Sequence, residues 1–589
     1  MVKFHSYQKK NAFIIVVIIT IMAVILSVRL GYLMIFKAEH YGVMAKEVQE
    51  RERAIKAARG RIYDRNGIEI ASNKPVCTIS VIHSQLKEKE KVIEVLTQEL
   101  GLSREYVTKR VEKISSREKI KSNVEKEIAD KIRSYQLDGV MVDEDYKRFY
   151  PYSDIASKVI GFTGSDNQGI VGLEVAYESV LKGIDGKILT LTTAKGVEIE
   201  NAAEDRIEPI AGKNLYLSLD VNIQKYAEQA AKKVLEAKNA NTVKLIVMNP
   251  QNGEIYAMAN VPEYNLNDPY TLQNVDPSIV TDKNKTELLN NMWRNPCISD
   301  TYEPGSTFKI ITATSALEDG VVKLEDQFFC PGYKKVEDRM IRCHKTSGHG
   351  AESFVDGIKN SCNPVFMEIG ARVGAHSMYQ HFKTLGLFEK TGIDVPGEAN
   401  SIMHKEEDVG AVELATMSFG QSFQITPLQL LRAVSMVING GKAVTPHFGM
   451  KIENEDKTQI KILEYPEEEN RISKQTSETM KQLLEAVVDG GSGKNAYIEG
   501  FRIGGKTATS EKLPRSSNKY ISSFIGFAPA DNPKVIAIVL IDEPEGIYYG
   551  GTIAAPVIRE VFENVLPYLG IEPQYVAAPE KEGGQDREE

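Results

Sequence analysis

The most extended apolar run in the chain lies near its start. Ala12 to Val28 carries no charge, and beyond Arg29 the stretch Leu30 to Phe36 prolongs it. That length suits one membrane-spanning helix, with Arg29 reaching a headgroup. Lys3, Lys9 and Lys10 precede it and no acid does, so the pattern predicts a cytoplasmic tail over 1–10 and a transmembrane helix over 11–36. The run exceeds a signal-peptide core and no Ala-x-Ala site follows, so cleavage is not expected.

Past the anchor, His40 to Lys56 reads as a polar helix leaving the membrane. Arg61–Tyr63 and Ile68–Ser72 read as short strands around an Asn66-Gly67 turn. Residues 86–135 are rich in Lys and Glu and predict surface helices with solvated faces. Near Gly212 the pattern changes. Residues 214–237 give an alternating strand and then an amphipathic helix, and 242–260 give two strands around Asn252-Gly253. Residues 519–544 again give two strands, and mainly helical segments lie between. Strands, helices, then strands predict an antiparallel sheet covered by helices, with both ends of the domain contributing to it.

Composition changes this picture little. At 589 residues the chain exceeds one core, and 42% hydrophobic with 26% charged residues is ordinary for globular protein. A net charge of -9 with no basic domain argues against nucleic-acid binding. Five cysteines make no dense disulfide framework. The expected division is tail 1–10, helix 11–36, an elongated α+β pedestal over 37–208, an α+β catalytic domain over 209–570 and a disordered acidic tail over 571–589.

The candidate chemistry lies in the second domain. Ser-x-x-Lys pairs are common along the chain, from Ser6/Lys9 to Ser516/Lys519, but only Ser306/Lys309 has Pro304-Gly305 before it and a helix-like apolar run after it. Residues three apart on a helix share a face, so Lys309 can reach the Ser306 hydroxyl. A serine is a weak nucleophile until a base takes its proton, and a lysine serves only if burial or another cation lowers its pKa. Lys506 is the candidate cation. Ser361 and Asn363 offer a hydroxyl and an amide on a connection between helix-like stretches; Ser165/Asn167 matches better by letters but precedes the nucleophile. A Lys-Thr-Gly triplet occurs at Lys390-Thr391-Gly392 in a turn-like setting. Lys506-Thr507-Ala508-Thr509 instead follows two glycines and leads into the C-terminal strands, where a substrate can pair along an open edge. Lys506, Thr507 and Thr509 are therefore the candidates for holding a carboxylate, and the literal triplet is a decoy.

With these elements in order, the chain resembles the class B penicillin-binding proteins. The resemblance runs through "RGRIYDRNG", "GIVGLEVAYESVLKGIDG", "LDVNIQ", "SDTYEPGSTFKIITA", "NSCNPVF", "TGIDVPGEA", "ATMSFGQSFQITPLQLLRA" and "YYGGTIAAPVIREV". Within the class it is most similar to the division and sporulation branch, the stage V sporulation type D proteins of Gram-positive spore formers. The resemblance implies a serine β-lactamase-like fold and a D,D-transpeptidase of the bacterial cell membrane, cross-linking peptidoglycan stems that end in D-Ala-D-Ala. It implies Ser306 as nucleophile, Lys309 as its base and Ser361 as proton carrier, with the backbone N–H groups of Ser306 and Thr509 as oxyanion hole. Asn363, Lys506, Thr507 and Thr509 would bind substrate. Covalent inhibition by β-lactams is implied, with no metal or organic cofactor. The pedestal, a dimerisation domain in relatives, would contact a glycosyltransferase of the shape, elongation, division and sporulation (SEDS) family and other divisome or sporulation proteins.

Two departures stand out: Ala508 where relatives have glycine, and Ser422 where they often do. A methyl at 508 directed into the cleft would alter inhibitor preference; directed away, it would do little. Cys330 and Cys343 flank a short loop, and a disulfide worth ~3 kcal/mol and two separate thiols fit the spacing equally. A zinc site from Cys330, Cys343, His344 and His349 has poor spacing and is not expected. Competing functions are a sensor that acylates without turnover, a β-lactamase and a D,D-carboxypeptidase. The short cytoplasmic tail weighs against a sensor, no dedicated base favours a β-lactamase, and the carboxypeptidase is not separable by sequence.

Overall fold

Alternation along the C-terminal strands explains the catalytic half of the molecule. In the computed structural model, which describes residues 4–41, 50–115, 117–191 and 205–574, Val535–Asp542 (β19) is buried at every position. Val535, Ala537, Val539 and Ile541 enter one core, while Ile536, Ile538 and Leu540 enter another. Successive side chains of a strand point to opposite faces, so a strand covered on both sides reads as one continuous apolar run. Thr242–Met248 (β9) behaves the same way, with Val243, Leu245 and Val247 on one side and Ile246 and Met248 on the other.

These strands belong to a five-stranded antiparallel sheet with Ile255–Val261 (β10), Tyr520–Ala528 (β18) and Gly504–Glu511 (β17), in the order β10-β9-β19-β18-β17. Helices Val221–Lys238 and Ala555–Tyr568 cover one face. Helices Lys309–Glu318, Pro427–Ile438 and Lys474–Gly490 contribute to the core on the other. The sheet therefore ends at β17, whose free edge lies beside the turn Gly305–Phe308.

The chain divides into two compact units. The catalytic unit comprises Arg59–Asn73, Arg148–Lys182 and Gly212 onward. Within it Asn214–Leu217 (β8) pairs with Gly449–Glu453 (β15), which pairs with Ile460–Ile462 (β16). On its other side β8 runs parallel to Ile62–Tyr63 (β2), and β2 pairs antiparallel with the start of Glu69–Val81 (β3) around the Asn66-Gly67 turn. Four short strands, Gln327–Cys330 (β11), Tyr333–Val336 (β12), Arg339–Arg342 (β13) and Gly350–Ser353 (β14), form two hairpin-like pairs, β11 with β14 and β12 with β13.

The other unit holds the N-terminal helix, Lys74–Lys147 and Gly183–Ala211. Here the later part of β3 pairs with Glu118–Glu125 (β4) and Val140–Phe149 (β5). Helices Lys89–Leu100, Arg104–Val111 and Lys126–Ser134 bury Val92, Leu96, Val107 and Ile132 with Ile79 and Val81 of β3. A second sheet joins Glu50–Ile55 (β1), Gly186–Leu191 (β6) and Asp205–Ile207 (β7). The expected polar helix over His40–Lys56 therefore fails at its C-terminal end. Glu50–Ile55 pairs antiparallel with β6, and cross-strand pairing overrides the local helical propensity of its charged residues; 42–49 lie outside the described residues. The first helix spans Phe4–Ile35, and its segment Lys9–Ile35 is long and apolar enough to cross a membrane. The expected disordered tail lies outside the described residues from 575 onward.

A buried ion cluster ties the early segments of the catalytic unit together. Glu174 is fully buried, its two oxygens each 2.7 Å from a guanidinium, Arg59 Nε on one side and Arg148 Nε on the other. Burial alone would raise its pKa, but the two guanidiniums outweigh that and hold it below the ordinary carboxylate range. Arg59 also donates to the carbonyls of Asn167 and Glu174, which ties the Ser165-Asp166-Asn167 turn to this cluster through its backbone. Glu174→Ala leaves buried Arg148 without its carboxylate partner, while Arg59 keeps Glu178 at 2.7 Å, so chemical denaturation should show a loss of about 3–5 kcal/mol. A loss under ~1 kcal/mol, the scale of an exposed pair, would contradict this reading.

Candidate active site

Ser306 sits in the 3₁₀ turn Gly305–Phe308 that runs directly into the Lys309–Glu318 helix. Pro304 opens the turn, and the Thr307 hydroxyl donates to the Pro304 carbonyl at 2.7 Å. Phe308 locks the turn into the core against Phe382 and Phe423. Ser306 stays half-buried at the surface of the cleft, while Lys309 is 1 % exposed.

The Lys309 ammonium donates to Ser361 O at 2.7 Å, Ser361 Oγ at 3.3 Å and Asn363 Oδ1 at 2.7 Å. It thereby gathers the first two sequence elements at one nitrogen. Ser361 adopts φ +54°, a left-handed conformation that a non-glycine residue holds only under tertiary constraint. This kink turns both its carbonyl and its hydroxyl toward Lys309. Asn363 starts the next helix, Asn363–Val373, with Pro364 in its first turn, and its Nδ2 donates to Arg342 O at 3.2 Å.

Lys506 lies on β17, is fully buried, and donates to Thr507 O at 3.3 Å. Among the described residues neither Lys309 nor Lys506 forms an ion pair with a carboxylate. Burial, helped by the neighbouring Lys309, pushes Lys506 well below the ordinary lysine range. Burial likewise lowers Lys309 to about 8, partly opposed by Cys343, Cys362 and Glu352. On β17, Thr507 Oγ1 donates to Ser492 Oγ at 3.2 Å and Thr509 Oγ1 accepts from Gly550 N at 3.0 Å. Gly550 has to be glycine, since a Cβ there would stand 2.1 Å from Ala508 O. Ser306, Lys309, Ser361, Asn363, Lys506, Thr507 and Thr509 thus all belong to the same unit, on the turn and helix over 305–318, the 361–363 turn and the edge strand.

Lys506, Ala508 and Ser510 alternate onto one face of β17. Ala508 is buried, and its methyl would be 3.6 Å from a Cβ placed on Gly305, so it packs toward the turn that carries Ser306. The literal Lys390-Thr391-Gly392 lies outside any strand, with Gly392 at φ +81° and Thr391 N donating to Glu398 Oε1. Ser422, the second departure, adopts φ +70°, a conformation that favours glycine, and its hydroxyl is 2.9 Å from Thr416 Oγ1. A support escaped the sequence reading: buried Glu303 accepts from Ser422 N and pairs with Arg515, linking the nucleophile turn to the loop after β17. Only the fold brings those three positions together.

All five cysteines are free thiols, so Cys330 and Cys343 do not form the bridge considered from their spacing. They converge instead with His349 and Cys362, four groups whose ligand atoms all lie within 4.8 Å of one another. His344 is exposed, and Cys362 takes the place assigned to it by the sequence.

The pH dependence follows from Lys309. Below about 8 it carries the proton that a general base at this position would have to accept. Acylation of Ser306 at subsaturating substrate should therefore rise about tenfold per pH unit and level off above that value. Stopped-flow acylation rates across pH check this; a midpoint near ~10.4, the ordinary lysine value, would contradict it.

The comparisons with known proteins agree with this geometry. Residues 244–563 match the penicillin binding protein transpeptidase domain family, and 54–217 match the penicillin-binding protein dimerisation domain family. The chain is 38% identical over 575 residues to stage V sporulation protein D of Bacillus subtilis, covering 96% of this chain and 87% of that one. It is 29% identical to the probable peptidoglycan D,D-transpeptidase PenA of Neisseria gonorrhoeae, covering 89% and 86%. Its fold is similar to that of penicillin binding protein 2X from Streptococcus thermophilus, with TM-score 0.73, 21% identity and coverage of 88% and 81%. It is also similar to a peptidoglycan synthetase from Bifidobacterium adolescentis, with TM-score 0.72, 21% identity and coverage of 90% and 98%. With two family domains in order and a relative of this identity along nearly its whole length, the chain belongs to the class B penicillin-binding proteins.

Proposed function

We propose that the chain is a membrane-anchored peptidoglycan D,D-transpeptidase acting through a Ser306 acyl-enzyme. The observation that carries this reading is the Lys309 ammonium, buried and held at 2.7 Å by both the Ser361 carbonyl and Asn363 Oδ1, one helical turn from Ser306. Neutral Lys309 takes the Ser306 proton as Oγ attacks the carbonyl carbon of the penultimate D-Ala. The backbone N–H groups of Ser306 and Thr509 stabilise the oxyanion, at several kcal/mol per donor in related acyl transfers. The amide C–N bond then breaks, and the proton passes from Lys309 through Ser361 Oγ to the leaving D-Ala nitrogen. An amine from a second stem attacks the ester carbon and returns the proton to Ser306 along the same groups. Asn363 orients the substrate amide, and Lys506, Thr507 and Thr509 hold the terminal carboxylate.

The names of its relatives, peptidoglycan D,D-transpeptidases and a sporulation protein, support the substrate class and a role in sporulation wall synthesis, with septal synthesis as the other setting the family resemblance implies. The lysines before the apolar helix support a cytoplasmic N-terminus, with the chain after the helix outside the membrane; in place of a single boundary at 208/209, residues 59–73 and 148–182 pack with the unit that runs from 212 onward. A polytopic SEDS glycosyltransferase is the partner this arrangement suits.

Incubation with benzylpenicillin should give a stable one-to-one adduct by intact-protein mass, absent in Ser306→Ala; an adduct that survives that substitution would move the nucleophile elsewhere. Because the Ala508 methyl packs toward the Ser306 turn, Ala508→Gly should shift the ratio of acylation rates for bulky and slim β-lactams by roughly tenfold, the scale of one methyl group in a pocket. Equal ratios in both proteins would show that the methyl has no influence on access.

A further inference from the structure

The cysteine cluster beside the active site is built for a metal. Cys330 ends β11, Cys343 follows β13, His349 precedes β14 and Cys362 caps the Asn363–Val373 helix. The three cysteines are buried and His349 is half-buried. All four ligand atoms lie within 4.8 Å of one another, and Cys343 Sγ is 3.7 Å from His349 Nδ1. A tetrahedral zinc with Zn–S near ~2.3 Å and Zn–N near ~2.0 Å sets its ligand atoms about 3.5–3.8 Å apart. A disulfide would need its sulfurs at ~2.05 Å. The spacing suits four ligands around a central ion better than a bonded pair.

A buried carboxylate also points to a cation. Glu352 is 3 % exposed; its Oε1 accepts from Asn360 Nδ2 at 2.7 Å, but its Oε2 has no hydrogen-bond partner of normal geometry. That oxygen faces the cluster, 3.7 Å from His349 Nδ1 and beside the Cys362 thiol. A buried carboxylate oxygen left unpaired is costly unless a positive charge or a donor meets it.

We propose that Cys330, Cys343, His349 and Cys362 bind one structural zinc ion, with Glu352 as an outer carboxylate that orients the site. Binding forms three Zn–S bonds and one Zn–N bond, and each thiol that was protonated releases its proton to solvent. A closed set of four protein ligands leaves no position for water, so the ion is structural rather than a reactant. Three thiolates and one imidazole suit zinc, which has no redox chemistry to disturb them.

The placement gives this ion a task. Cys362 stands between Ser361 and Asn363, and the carbonyl of Arg342, next to Cys343, accepts from Asn363 Nδ2. The ion therefore clamps, through Cys362 and Cys343, the turn that presents Ser361 and Asn363 to Lys309. Cys330, Cys343, His349 and Cys362 are positioning residues, because none of them touches substrate.

The test uses the full-length chain in detergent, purified with zinc sulfate supplied and without added thiol. Elemental analysis should find one zinc per chain. Cys343→Ser and His349→Ala should each lower the zinc retained at least tenfold, while Cys77→Ser, in the other unit, retains it. Glu352→Gln should weaken zinc binding about 10-fold. Cobalt substituted for zinc should show thiolate-to-metal charge transfer and the intense visible bands of a tetrahedral site. Zinc stripped by a chelator should lower the melting temperature, and zinc added back should restore it. Wild type with less than a tenth of an equivalent of zinc would overturn the proposal, as would a Cys330–Cys343 disulfide in its mass map. Zinc retained in full by the folded His349→Ala and Cys343→Ser proteins would also overturn it.

Discussion

Two lysine side chains, Lys309 and Lys506, are buried close together; among the described residues neither is ion-paired with a carboxylate, and the rest of the site depends on that arrangement. An ammonium in such a place is costly, and the cost is met by neutral oxygens: two from Ser361 and one from Asn363. A carboxylate there would hold the proton on Lys309 and remove its capacity as a base. The carbonyl, hydroxyl and amide oxygens solvate the ammonium when it forms, yet leave burial free to drive the proton off near neutral pH. The same three contacts fix the left-handed turn at Ser361, so the electrostatics and the geometry of the site share one cause.

The sheet supplies the rigid side of the cleft. β9, β18 and β19 are covered on both faces, and the strand order leaves β17 as the edge beside Ser306 among the described residues. Gly305 lets the nucleophile turn approach that edge: its φ is +56°, and a Cβ placed on it would stand 2.4 Å from Ser510 Oγ. Ala508 occupies space at this seam, which makes it a tuning position rather than a break in the site.

Much of this was legible in the sequence because the signals are local. The apolar run of the anchor, the alternation in β8, the apolar stretch of β9, the turn at Asn66-Gly67 and the Ser306/Lys309 spacing each depend on residues near one another in the chain. The choice of Lys506 over Lys390 was also local, since Gly392 and its neighbours read as a turn. What escaped depends on distant pairing. Glu50–Ile55 forms a strand only because β6 returns to meet it. Cys362 was read as the middle letter of an active-site motif, yet its sulfur belongs with Cys330, Cys343 and His349 through the convergence of β11, β13 and the next helix. Spacing along the chain carries no record of that convergence, and it led to His344 instead.

The central claim is that Ser306 hands its acyl group to an amine. It is tested most directly by giving the full-length chain in detergent a synthetic stem pentapeptide ending in D-Ala-D-Ala, together with an acceptor stem bearing a free side-chain amine, and following products by mass spectrometry. The account predicts release of D-Ala matched by a cross-linked peptide dimer. A lasting acyl-enzyme without product, or hydrolysed stem with no dimer, would contradict it.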